Sequence, residues 1–149
     1  MVNTPLIQRL LNNLDGYVND LRTATDITHE KYLTDIRQQR FVERTLEICV
    51  ACCLDIVHHI ISDQGYREPD SYSDAFAVLV EQSVLPASSL KDYQMMAQFR
   101  NKIVHYYEKI DPDQVYVIFK NKLGTFKTFR DQIDAWIARQ EAIQKSKEE

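Results

Sequence analysis

Glycine and proline are scarce in this chain, and their scarcity limits the number of tight turns that it can form. The 149 residues include 3 glycines and 4 prolines, which is well below average usage. A β-sandwich or barrel with many strands needs more turn-forming residues than this. Hydrophobic residues make up 44% of the chain, enough to build a core. We therefore expect an all-α fold, with residues 1–149 forming a single domain.

Apolar residues recur at spacings of three and four along the sequence, as they do on the buried face of a helix. In the first helix these are Leu6, Leu10, Leu14, Val18 and Leu21. The pattern predicts helices at 5–22, 28–62 with a break near Asp35, 73–82, 90 to about 107, and 112 to about 144. Together they describe an up-and-down four-helix bundle with an additional short helix.

Local signals mark the ends of these helices. Thr28 is a predicted N-cap, Ser88 or Ser89 is predicted to cap the fourth helix, and Gly65 is expected to close the long second helix. Asp111 followed by Pro112 is a strong helix start. Gly124 lies inside the last predicted helix, where it indicates a close helix contact or a slight bend, and residues 145–149 are expected to fray.

The net charge is −4, and it is unevenly distributed. Residues 1–90 contain 7 Lys/Arg and 13 Asp/Glu, whereas residues 91–149 contain 11 and 9. Bulk charge therefore does not indicate a nucleic-acid binder, and an anionic partner would meet the C-terminal half. The chain lacks a run of about eighteen uncharged apolar residues and a secretory signal pattern, so we expect a cytoplasmic protein with no membrane association.

Cysteines and histidines cluster in one segment and raise the question of a metal site. Cys49, Cys52 and Cys53 are followed by His58 and His59. Structural zinc sites draw their ligands from loops, whereas these residues fall within one predicted helix and the cysteines follow its apolar spacing. We interpret the cysteines as reduced core residues and the histidines as a solvated or hydrogen-bonded pair, and we expect no bound metal.

The end of the fourth predicted helix carries the most chemically capable set of side chains. Arg100, Asn101, His105 and Tyr107 lie there, and no glycine-rich phosphate loop or known hydrolase motif occurs elsewhere. Arginine binds phosphate oxygens in a planar fork, and histidine can accept a proton from a ribose 2′-hydroxyl. These groups suit metal-free RNA cleavage to a cyclic phosphate. The alternative is that Arg100 and His105 only cap the helix and form surface hydrogen bonds.

These residues resemble the hallmark of the HEPN superfamily and, within it, of the HepT toxin family: an arginine, four residues, a histidine, one residue and a tyrosine. The segments 40–47 and 110–113 and the following long helix are also similar, so the resemblance covers about residues 5–140. The chain departs from the pattern before the arginine, where residues 92–96 stand in place of a Pro-x-x-Trp-like segment.

The resemblance implies a homodimeric ribonuclease toxin of a type VII-like toxin–antitoxin system, paired with a nucleotidyltransferase antitoxin of the MntA kind. Arg100 and His105 would be catalytic, with Asn101 supporting them. Tyr107 would be the hydroxyl that receives AMP, and Tyr106 is the alternative acceptor. ATP and Mg²⁺ would be used only by the antitoxin. The competing hypothesis is a non-catalytic subunit that serves as partner or substrate-binding module of a nucleotidyltransferase.

Overall fold

The computed structural model describes residues 2–105 and 110–148, and within these ranges it contains α-helices and no β-strand. The all-α prediction is confirmed. The helices are α1 Thr4–Arg22, α2 His29–Thr34, α3 Ile36–Gln64, α4 Tyr72–Glu81, α5 Leu90–Val104, α6 Pro112–Asn121 and α7 Gly124–Glu148, with a 3₁₀ turn at Ala87–Ser89.

Side-chain caps explain where several helices begin and end. The Thr28 hydroxyl accepts a hydrogen bond from the backbone N–H of Lys31 at the start of α2. Asp35 ends α2 in extended geometry, and its carboxylate accepts from the N–H of Arg37 to start α3. Gly65 ends α3 with a φ of 68°, the left-handed conformation that glycine adopts without strain. The predicted cap, break and stop are all confirmed.

The prediction that the last helix is continuous from 112 to about 144 is wrong, because the structure divides this segment into α6 and α7. Lys122 is the C-cap of α6, and Leu123 is buried at the junction. The backbone turns through i to i+3 hydrogen bonds, from Thr125 to Lys122 and from Phe126 to Leu123, each 3.1 Å long. Leu123 belongs to the hydrophobic core at this junction.

Two smaller expectations also concern this region. A Cβ atom placed on Gly124 would meet nothing within 4 Å, so this glycine does not mark a close helix contact, whereas the alternative, a bend, agrees with the junction at which α7 begins. The residues expected to fray are helical as far as Glu148. Lys145 and Lys147 lie in the last turn of α7, where positive charge interacts favourably with the helix dipole.

The helices pack around α3, which contacts α1, α2, α4, α5, α6 and α7. The buried stripe of α1 is Ile7, Leu11, Leu14, Val18 and Leu21, while the predicted Leu6 and Leu10 are only half-buried. By length and composition α3 could also cross a membrane. However, 56% of its most apolar window is buried within the protein, as is usual for the central helix of a bundle.

Candidate functional site

The carboxyl-terminal end of α5 carries the predicted catalytic residues. Arg100 is half-buried in the penultimate turn, and Asn101 is exposed on the adjoining position. Val104 is the last helical residue, and the exposed His105 is the C-cap with φ −85° and ψ 75°. The prediction that this helix continues to about Tyr107 is therefore wrong at its end, because the backbone leaves helical geometry at His105.

The structure does not describe the tyrosine predicted to receive AMP. Tyr107, and the alternative acceptor Tyr106, lie outside the described residues.

A buried aromatic cluster holds α5 in the bundle. The Tyr93 ring stacks on Phe76 of α4 at a centroid distance of 5.3 Å and meets Phe129 of α7 edge to face at 5.6 Å. The Tyr93 hydroxyl donates to the side-chain carbonyl of Gln132, whose amide donates in turn to the Ser89 hydroxyl at 2.9 Å. Ser89 thus occupies the predicted N-cap position, but its hydroxyl bonds to α7 and not to the α5 backbone. The scaffold of the site is therefore a well-anchored helix.

Arg100 makes its contact with α4. Its guanidinium carbon lies 4.6 Å from the centre of the Tyr72 ring, which is a cation–π contact. The Tyr72 ring meets the His58 ring nearly at right angles, with centroids 6.0 Å apart. His58 is fixed by a 2.8 Å hydrogen bond from its Nδ1 to the carbonyl oxygen of Leu54. We call His58, Tyr72 and Arg100 the Tyr72 cluster.

Sequence reasoning did not identify Tyr72. It lies in a different helix from Arg100, and no spacing pattern connects the two. The interpretation of His58 as a hydrogen-bonded residue is confirmed, and its neighbour His59 is exposed.

In the part of the chain that the structure describes, a groove lies close to the candidate residues. A groove of about 450 Å³ runs beside α5, with Phe99 and Lys102 on one wall and Val117 of α6 on the other. Neither Arg100 nor His105 lines this groove.

The cysteines belong to the core. Cys49 and Cys53 are fully buried and Cys52 is half-buried on α3. Burial raises the pKa of Cys49 to about 12 and that of Cys53 well above its usual range, so both remain neutral thiols. The core interpretation of this pair is confirmed. Among residues 2–105 and 110–148, no group of three or more His, Cys, Asp or Glu side chains is arranged to hold a metal ion.

An all-α bundle that presents an arginine and a histidine five positions apart at the end of an anchored helix has the arrangement that the resemblance to the HEPN class implies. Within that class, the chain belongs to the HepT-like ribonuclease family. The sequence model described as "Ribonuclease HepT-like" matches residues 14–133, which include Arg100 and His105. The resemblance found in the sequence is confirmed.

Known proteins resemble this chain over most of its length. The tRNA nuclease HepT of Aphanizomenon flos-aquae is 26% identical over 132 residues, which cover 89% of this chain and 90% of that protein. The mRNA nuclease HepT of Shewanella oneidensis is 29% identical over 105 residues, which cover 70% and 79%.

A solved structure has the same fold. The tri-AMPylated Shewanella oneidensis HEPN toxin, in complex with its MNT antitoxin, superposes with a TM-score of 0.81 and 24% sequence identity. The alignment covers 91% of this chain and 99% of the toxin.

Proposed function

We propose that this protein is a ribonuclease toxin that cleaves RNA with Arg100 and His105. The observation that carries the proposal is the family match over residues 14–133, which includes the exposed end of α5 where both residues lie. Both curated relatives described above are named as RNA nucleases, one for tRNA and one for mRNA.

The proposed chemistry needs no metal ion or cofactor of the protein's own. The Arg100 guanidinium binds the scissile phosphate, and neutral His105 accepts the proton of the ribose 2′-hydroxyl. The 2′-oxygen attacks phosphorus, the bond to the 5′-oxygen breaks, and that oxygen leaves with a proton from a histidinium. The products are a 2′,3′-cyclic phosphate and a 5′-hydroxyl. Asn101, exposed beside Arg100, supports the site by hydrogen bonding to the RNA backbone.

A homodimer would complete the site. One arginine and one histidine are few groups for this reaction, and the net charge of −4 provides no general attraction for RNA. Two copies of the α5 end beside each other would double the positive charge and supply both a proton acceptor and a proton donor. Light scattering of the purified chain measures whether it is a dimer.

The proposed partner is a nucleotidyltransferase antitoxin that acts in the cytoplasm. The structurally similar toxin from Shewanella oneidensis carries AMP groups and is bound to such an antitoxin. We propose that Tyr107 receives AMP here and that ATP and Mg²⁺ are used only by the partner. Tyr107 follows His105 by two residues in the sequence. Each added AMP would bring a negative phosphate to this segment, and that charge would repel and obstruct RNA.

The test is RNA cleavage by the purified protein in EDTA, with the cyclic phosphate detected by mass spectrometry. We expect Arg100→Ala and His105→Ala each to reduce cleavage by about 10²-fold or more. Arg9→Ala and His59→Ala are matched controls, since both side chains are exposed on other helices. Cleavage that is absent in the wild type, or that survives both site substitutions, would contradict the proposal. Expression without a partner should arrest growth, whereas a non-catalytic subunit would leave growth unchanged.

A further inference from the structure

We propose that Tyr72 is a positioning residue that holds the Arg100 guanidinium in the orientation needed for RNA cleavage. The inference rests on the proposed ribonuclease function and extends it to a residue of a different helix. Its basis is the Tyr72 cluster, in which the arginine lies 4.6 Å from the centre of the tyrosine ring.

An arginine side chain near a helix end has several rotatable bonds, and a phosphate-binding arginine is effective only when these are restricted. A cation–π contact restricts the guanidinium without using any of its N–H donors. Those donors point outward in the plane of the group and are the ones that bind phosphate oxygens. Tyr72 can therefore position Arg100 and leave it able to bind the substrate.

The Tyr72 ring is itself held in place. Tyr72 is the first residue of α4, and the preceding Ser71 caps the helix by accepting from the backbone N–H of Asp74 at 3.0 Å. The first turn of α4 is joined to α5 by a hydrogen bond of 3.4 Å from the Gln94 amide to the carbonyl oxygen of Ser73. The ring therefore has a defined position relative to α5.

His58 restricts the ring from the side of α3. Its Nδ1–H donates to the Leu54 carbonyl oxygen, which can only accept, so the orientation of the imidazole is set by its own helix. The two rings meet at an interplanar angle of 76°, a favourable edge-to-face geometry. The Tyr72 cluster thus connects three helices in one row that ends at Arg100.

Tyr72 is 37% exposed and does not belong to the buried core. Its substitution should therefore affect the orientation of Arg100 more than the stability of the fold. Tyr17 on α1 is exposed to the same extent, also 37%, and serves as the matched control.

The experiment measures kcat and KM on a short RNA with one cleavage site, for the wild type, Tyr72→Leu, Tyr72→Phe and Tyr17→Leu. We expect Tyr72→Leu to lower kcat by about tenfold, with an unfolding midpoint close to that of the wild type. Tyr72→Phe retains the ring and should keep the kcat of the wild type. Tyr17→Leu should also have the kcat of the wild type. NMR of the Arg100 side chain should show a ring-current shift that disappears in Tyr72→Leu and persists in Tyr72→Phe.

Other outcomes overturn the inference in distinguishable ways. If the wild type cleaves RNA and Tyr72→Leu has the same kcat, Tyr72 does not position Arg100, while the ribonuclease function stands. If Tyr72→Phe is as impaired as Tyr72→Leu, the hydroxyl is responsible and not the ring. If the wild type does not cleave RNA, the ribonuclease function itself fails, and the positioning role fails with it.

Discussion

At the scale of single residues, Arg67 organises the start of α4. Its guanidinium binds both carboxylate oxygens of Asp74, at 2.7 and 2.9 Å, and a carboxylate oxygen of Glu81, about two turns further along α4, at 2.7 Å. The hydrogen bonds from Arg67 lower the pKa of Asp74 to about 2 from its ordinary value of 3.8. The same arginine also lowers the pKa of Glu81. These pairs fix the helix that presents Tyr72.

This coupling predicts a pH dependence for the variant Arg67→Met. Because the folded-state pKa of Asp74 is depressed, its contribution to stability is complete above pH 3.8 and is lost as the pH falls through about 2. The unfolding midpoint of Arg67→Met should therefore lie below that of the wild type at pH 7 and approach it at pH 2. Thermal unfolding followed by circular dichroism over this range measures the difference. A gap that stays constant with pH would contradict the assignment, and Arg9→Met controls for loss of a surface charge.

Local chemistry makes some residues predictable and hides others. Thr28, Gly65 and Asp111 act within three or four residues of themselves, so their roles can be identified from the sequence. Arg100 and His105 are only five residues apart, so the sequence also shows that they are neighbours. The contact between Tyr72 and Arg100 depends on how α4 packs against α5, and no local pattern encodes that packing.

At the scale of helices, the junction between α6 and α7 illustrates a limit of periodicity. Val115 and Phe119 of α6 and Phe126 and Phe129 of α7 are all buried, and their spacing continues through the junction as if the helix were unbroken. A buried Leu123 fits both a bend and a straight helix. The apolar pattern identifies which residues face the core, but it does not report the change in helix direction.

The same junction makes a prediction about glycine. Gly124 begins α7 without a positive φ, and a Cβ there would meet nothing within 4 Å. Gly124→Ala should therefore increase the free energy of unfolding by about 0.4–1 kcal/mol, because alanine reduces the entropy of the unfolded chain. Gly65→Ala should instead lower it by about 1 kcal/mol, since Gly65 has a φ of 68°. Urea denaturation of both variants tests the contrast, and a loss of stability in Gly124→Ala would show that the junction needs glycine.

At the scale of the whole molecule, the excess of acidic residues and the candidate site lie in different parts of the sequence. Residues 1–90 carry a net charge of −6, while residues 91–149, which contain the candidate site, carry a net charge of +2. In the proposed function, a small number of phosphate contacts at the α5 end would therefore provide the binding energy, and the affinity for RNA would be sensitive to any negative charge placed there. This sensitivity would be the physical reason for the proposed adenylation to silence the protein.

The proposed silencing can be tested by co-expression with a nucleotidyltransferase of the antitoxin type. Mass spectrometry should find AMP on the wild type and none on Tyr107→Phe. The modified protein should lose RNA cleavage, because the added phosphate charge would repel RNA. Tyr106→Phe is the matched control, since it removes the adjacent hydroxyl and should still be modified. If AMP persists in Tyr107→Phe and disappears in Tyr106→Phe, the acceptor is Tyr106 and not Tyr107. An AMP-carrying protein that cleaves RNA at the unmodified rate would show instead that added charge at this end of the molecule does not control the site.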